Sequence, residues 1–234
     1  MTAYHLTMPD VRTTSVVFAS PHSGRDYPWS FVRRTNLDER ILRSSEDAFV
    51  DKLIAGTKAM KVGHALDADT QMGPVVSEQQ LSENLSYLDV AASEGAELAC
   101  GGARLSRETD GYFMSPGVFV GTRNDMRINR EEMFAPLTSV IKVDSYDEAL
   151  ATVNDTRFGL TSGIVTTSLA RATHFRRNAR TGVVTVNLPT AGTDYHVPFG
   201  GRGDSSYGPR EQGRGAAEFY TTVKTAYIAS GQPE

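Results

Sequence analysis

Apolar residues recur along the chain at two different spacings, and the switches between them outline its elements. Short apolar runs fall within Ser15–Ser20, at Ala96–Cys100, Val140–Val143, Gly163–Val165 and Val183–Val186, lengths that suit buried strands. Between them the spacing is helical. Ser44 or Ser45 can cap a helix carrying Phe49, Val50, Leu53, Ile54 and Met60. Ser77 with Gln80 forms a capping box ahead of Leu81, Leu85, Leu88 and Ala92, and Gly95 ends that helix. Ser145 with Glu148 opens another, with Ala149, Leu150 and Val153 on its apolar face. Ser168 starts a fourth that turns Leu169, Ala172 and Phe175 inward, ends in arginines that complement the helix dipole, and stops by Gly182. Phe113–Val120 is the predicted hairpin partner of Ala96–Cys100 across the Gly101–Gly102 turn. Glu218–Ile228 alternates apolar and polar residues and predicts an edge strand open to pairing. Strands spaced by helices predict an α/β fold with a parallel sheet.

Composition narrows the functional classes. The 234 residues are 39% hydrophobic and 9% aromatic, enough for a soluble globular core. A net charge of -4 argues against nucleic acid, and the cluster Arg171, Arg176, Arg177 and Arg180 fits the solvated end of one helix. No apolar run approaches the roughly 20 residues that cross a bilayer. The opening MTAYHLTMPDVR lacks the layout of a signal peptide, and a single cysteine precludes an intrachain disulfide. A cytoplasmic protein is expected.

Four places carry candidate chemistry. Glu131 and Glu132 stand just ahead of Phe134; by residue type alone they are exposed acids beside a core aromatic. The turn Gly200–Gly203 leads to Arg210 and Glu211, and its Arg202-Gly203-Asp204 string is a coincidental match to an integrin motif. Cys100 is the chain's one thiol. It ends an apolar strand with no histidine or helix N-terminus near it in sequence, so an inert thiol is expected. His22, between Pro21 and Ser23, is either a metal ligand or acid/base, or a loop histidine bonded to its neighbours; local chemistry favours the latter. His174 is expected on the surface of its helix.

From about Ala48 onward the chain resembles the C-terminal part of an aldehyde dehydrogenase. KVGHALDADTQMGPVVSEQQL, EEMF, NDTRFGL, PFGG and FYTTVKTAYI carry the likeness, and VNLPTAGTDYHVPFGG most resembles the branch that oxidises α-ketoglutarate semialdehyde. The resemblance implies part of a doubly wound α/β catalytic domain, here residues 54–234, and NAD(P)+ as cofactor. It implies that Glu132 bonds the nicotinamide-ribose hydroxyls with Phe134 beside them, and that Asn187, His196 and Phe199 face the substrate pocket. Tyr195 could point into the pocket or pack inward. The family's nucleophilic cysteine, its general-base glutamate and its dinucleotide-binding domain all precede the matched part, so an inactive fragment is expected. The sequence after PFGG departs from the family pattern. In the family the terminal strand pairs between subunits, so Glu218–Ile228 offers a second reading, a module that docks on intact subunits or self-associates.

A second resemblance covers about Ser15–Leu53. SPHSGRDYP followed by RSSEDAFVD resembles the start of N-formylglutamate amidohydrolase, a zinc enzyme, which implies a short strand-loop-helix segment over residues 1–53. His22 then falls on a zinc ligand, and Glu46 and Asp47 on acidic positions. A catalytic zinc site generally needs three protein ligands, and the downstream ones do not follow. A remnant hydrolase is the third reading.

Overall fold

The computed structural model describes residues 16–18 and 47–231, residue 193 excepted. In chain order the described elements are β1 (Val16–Phe18), α1 (Asp47–Lys58), α2 (Glu78–Ser93), β2 (Glu97–Cys100), β3 (Arg104–Leu105), β4 (Phe113–Met114), β5 (Gly117–Thr122), α3 (Arg127–Arg130), β6 (Leu137–Ile141), α4 (Tyr146–Asn154), β7 (Thr161–Val165), α5 (Leu169–Asn178), β8 (Val183–Val186) and α6 (Gly213–Tyr220). The described strands form two three-stranded sheets, in the orders β2-β5-β6 and β1-β7-β8, and the short pair β3-β4. Each larger sheet joins one antiparallel pair, β2 with β5 or β1 with β7, to one parallel pair, β5 with β6 or β7 with β8. The parallel pairs are spanned by helical crossovers, as parallel strands require.

The caps form where local chemistry puts them. The Ser77, Ser145 and Ser168 side chains accept from the backbone N–H groups of Gln80, Glu148 and Arg171. The Gln80 side chain turns to Asn84 (2.8 Å) instead of back to the cap. Along α2 the buried face runs through Leu81, Asn84 and Ala91, so Ala91 packs inward and Ala92 faces solvent. The predicted hairpin partner divides: β5 pairs with β2, whereas Phe113 and Met114 pair with β3. β6 starts three residues earlier than its apolar run because Leu137 registers against Gly117.

Two cores hold the layers together. The first gathers Leu81, Met114, Phe119, Met126, Ile128, Met133 and Leu137 between α2, α3 and the β5-β6 sheet. The second packs Phe175 and Ala179 against Leu150, Val153 and Ile164, joining α4 and α5 to β7. Leu169, expected inward, is 82% exposed: it sits in the first turn of α5, ahead of the part that reaches this core. The C-terminal prediction also needs correction. Glu218, Phe219 and Tyr220 belong to α6, and residues 221–231 have no regular structure. His22 and Glu46 lie outside the described residues. Among the described residues no helix is long and apolar enough to cross a membrane, and no group of three His, Cys, Asp or Glu is placed to hold a metal ion.

Candidate active site

The segment Glu131–Ala135 alternates between anchored and presented residues. Met133 and Ala135 are buried in the first core, while Phe134 is 57% exposed. Glu131, at the C-terminal end of α3, accepts from Arg127 Nε (2.9 Å) and Nη2 (3.0 Å) and from the Tyr87 hydroxyl (3.0 Å). Arg127 is itself fixed: its backbone N–H donates to both carboxylate oxygens of Glu94, at 3.0 and 2.9 Å. From α2, the buried Asn84 amide in its best-satisfied orientation donates to the Met133 carbonyl at 3.0 Å. Glu132, half-buried, has no hydrogen bond or ion pair from another described residue.

Phe134 has φ +49°, the left-handed region. For a residue with a Cβ this costs about 1–2 kcal/mol, which neighbouring anchors must offset. Hydrogen bonds from Arg127, then from Tyr87, hold the Glu131 carboxyl below the usual carboxylate range. A depressed carboxyl contributes its stability above its unfolded value, so this clamp loosens as pH falls through the lower folded value. Burial and the Glu131 carboxylate push the Tyr87 hydroxyl up, keeping it a donor at neutral pH.

The second predicted region starts at Asn187, also in the left-handed conformation (φ +55°), which asparagine tolerates. Its side chain is engaged on both atoms: Oδ1 accepts from the Thr166 N–H at 2.8 Å and Nδ2 donates to the Thr166 carbonyl at 3.0 Å. Asn187 thus ties the ends of β7 and β8 together. His196 is exposed, with the exposed Tyr195 ring edge-on to it at 5.7 Å, so Tyr195 does not pack inward. Phe199 is half-buried and exchanges two backbone hydrogen bonds with Glu211, at 2.7 and 2.8 Å.

Gly159 in the NDTRFGL loop connects these regions. Its carbonyl accepts from the N–H groups of Gly182 and Arg202, both at 2.9 Å, and its N–H donates to Ser205 Oγ at 3.0 Å. Arg210 reaches back to the Gly201 carbonyl at 2.6 Å. Asp204 of the Arg-Gly-Asp string is docked against the same loop, its N–H on the Arg157 carbonyl (3.0 Å) and its carboxylate 3.5 Å from Arg157 Nε. On the other side Arg130 pairs with Asp155 at 2.7 Å and holds that carboxyl below its usual range. One loop therefore touches both the Glu131 helix and the glycine turn.

Cys100 is buried at the end of β2, paired with Val118 of β5, as expected of a structural thiol. His174 is exposed and meets the Tyr146 hydroxyl at 2.8 Å. The sequence marks Glu131 only as one of an acidic pair; its clamp by Arg127 and Tyr87 is what the structure adds. The i,i+4 spacing of Glu131 from Arg127 was a usable signal; Tyr87, 44 residues away, left none.

A family model described as the aldehyde dehydrogenase family matches residues 39–226. The chain belongs to that family. An α-ketoglutarate semialdehyde dehydrogenase of Haloferax volcanii is 44% identical over 184 residues, and an α-ketoglutaric semialdehyde dehydrogenase of Bacillus subtilis is 39% identical over 184. These matches cover 77% and 78% of this chain and 38% of each relative. A betaine aldehyde dehydrogenase of Brucella anthropi is 38% identical over 194 residues, covering 82% of this chain and 39% of that protein. The chain thus spans well under half the length of the aldehyde dehydrogenases it matches. Among solved structures, betaine aldehyde dehydrogenase from Staphylococcus aureus in complex with NAD+ aligns with a TM-score of 0.71 at 34% identity, over 76% of this chain and 35% of that one. A P. syringae indole-3-acetaldehyde dehydrogenase in complex with NAD+ and IAA aligns at 0.74 and 37%, over 80% and 37%. The chain carries part of the mixed α/β aldehyde dehydrogenase fold.

Proposed function

We propose that this polypeptide supplies the nicotinamide-ribose edge and one wall of the substrate site of a dehydrogenase that oxidises an aldehyde, α-ketoglutarate semialdehyde, to its acid with NAD(P)+, acting in the cytoplasm. The observation that carries the reading is the pairing of Glu132, a carboxylate without a partner among the described residues, with the exposed ring of Phe134 on one pinned segment. A carboxylate accepts two hydroxyl donors well, and an aromatic face orients a flat ring. The cofactor would supply the hydride acceptor. Glu132 would fix its ribose and Phe134 would limit where the ring lies. His196 and Phe199 border the aldehyde, with Asn187 holding the loop that carries them.

On this reading the chain does not turn over alone. Aldehyde oxidation through a covalent intermediate needs an accessible thiol and a base to release the product. The one cysteine, Cys100, is buried in a strand. Purified chain mixed with aldehyde and NAD(P)+ is expected to give no reduced nicotinamide above the no-protein control. Aldehyde-dependent absorbance growth that scales with protein would overturn this.

One observation favours docking on an intact subunit as a second role. Val223, Tyr227 and Ile228 are 97%, 96% and 91% exposed on the segment without regular structure past α6, and this apolar, uncovered stretch suits pairing with another chain. Co-purification with a full-length aldehyde dehydrogenase subunit is expected, and truncation at Glu218 should abolish it. Failure to co-purify would end that reading.

A further inference from the structure

We infer that Glu131 is the positioning residue of the cofactor edge: its clamp by Arg127 and Tyr87 fixes Glu132 and Phe134 in the geometry that meets a nicotinamide ribose. The inference rests on the cofactor-edge reading above and assigns the neighbouring carboxylate a separate task. Two adjacent glutamates have opposite surroundings. Glu131 receives three hydrogen bonds from side chains on two different helices, whereas Glu132 receives none from the described residues. The first is consumed in holding the chain, so the second is left for a ligand.

The backbone explains why holding is needed. Phe134 sits at φ +49°, a conformation a free segment would leave for a commoner one, carrying its ring away and rotating the peptide that follows Glu132 and Met133. Downstream, the segment is held by burial of Met133 and Ala135 and by Asn84 on the Met133 carbonyl. Upstream it has the Glu131 carboxylate. That group bridges Tyr87 of α2 to Arg127 of α3, and Glu94 at the end of α2 fixes the backbone of Arg127. Both ends of the strained turn are therefore tied to α2, and the Glu131 end is tied through charge. The guanidinium also neutralises one of two adjacent carboxylates, so that Glu131 does not compete with Glu132 for the same hydroxyls.

The test uses the full 234-residue chain and nicotinamide riboside as probe, followed by NMR on the Glu132 and Phe134 signals. Wild type is expected to bind weakly and Glu132→Gln not at all. If Glu131→Gln leaves the segment in its presenting conformation about a fifth of the time, apparent Kd rises about fivefold, because affinity scales with the competent fraction. Tyr87→Phe, which removes one hydroxyl, should have a smaller effect. Arg127→Lys, which keeps the charge, should retain more affinity than Arg127→Gln; a purely steric role for the side chain would not separate these two. Unchanged Kd and unchanged Phe134 signals in Glu131→Gln would overturn the assignment. If wild type fails to bind the riboside, the cofactor-edge reading fails for this chain, and positioning is then decided by amide exchange at Glu132–Phe134. Faster exchange in Glu131→Gln but not in Glu83→Gln supports it; equal rates in both sink it.

Discussion

Phe175→Ala is expected to lower the unfolding free energy by about 3–5 kcal/mol, the range for deleting a fully buried aromatic ring. Phe175 has no exposed surface and is the largest side chain of the second core, filling the space between α4, α5 and β7. The neighbouring groups, Leu150 and Val153 of α4 and Ile164 of β7, are joined through this ring, so collapse into the vacated volume would mean moving a helix. A whole domain is typically stable by only about 5–15 kcal/mol, so one truncation takes a large share. Leu169→Ala on the same helix is the control: an exposed leucine should change stability by less than about 0.5 kcal/mol. Chemical denaturation of both variants checks this, and comparable losses in the two would contradict the assigned core.

Gly182→Ala is expected to detach the glycine turn from the sheet. A Cβ at 182 would collide with the Gly200 carbonyl and lie 2.8 Å from Arg210 Nη1, so the obstacle includes backbone as well as a flexible side chain. Either β8 or the Gly200–Gly203 turn must shift, and overpacking of this kind costs about 1–3 kcal/mol. The Gly159 carbonyl, which now accepts from Gly182 and Arg202 together, would lose at least one of these donors. Limited proteolysis should then cut between Phe199 and Glu211 faster than in wild type, while β2-β5-β6 stays protected. An unchanged cleavage pattern would show that the turn is not held through Gly182.

What could be read from the sequence follows from the range of the interactions. The Ser77, Ser145 and Ser168 caps were legible because donor and acceptor lie three residues apart. β7 and β8 were legible because their apolar runs exceed what an exposed loop would carry. Ala91 against Ala92 was misjudged because the buried stripe passes through a polar residue, Asn84, which no hydrophobic pattern marks. FYTTVKTAYI carries a strand-like apolar pattern, but its first residues continue the helix begun at Gly213. Glu132 and Phe134 were reached by resemblance; the clamp behind them was not, since Tyr87 and Arg127 meet Glu131 only after folding. The hydrogen bonds of the Asn187 amide to Thr166, 21 residues away, are likewise beyond what the sequence pattern marks.

The backbone at Phe134 sets two selective pressures against each other. Glycine adopts a φ of +49° without penalty, so a screen for thermostability alone would drift toward glycine there. Selection for ligand capture would hold the aromatic ring and accept a less robust fold. Variation at position 134 across related sequences should therefore report which demand has dominated in each lineage, with aromatic residues persisting where the edge is still in use and glycine spreading where it has been abandoned.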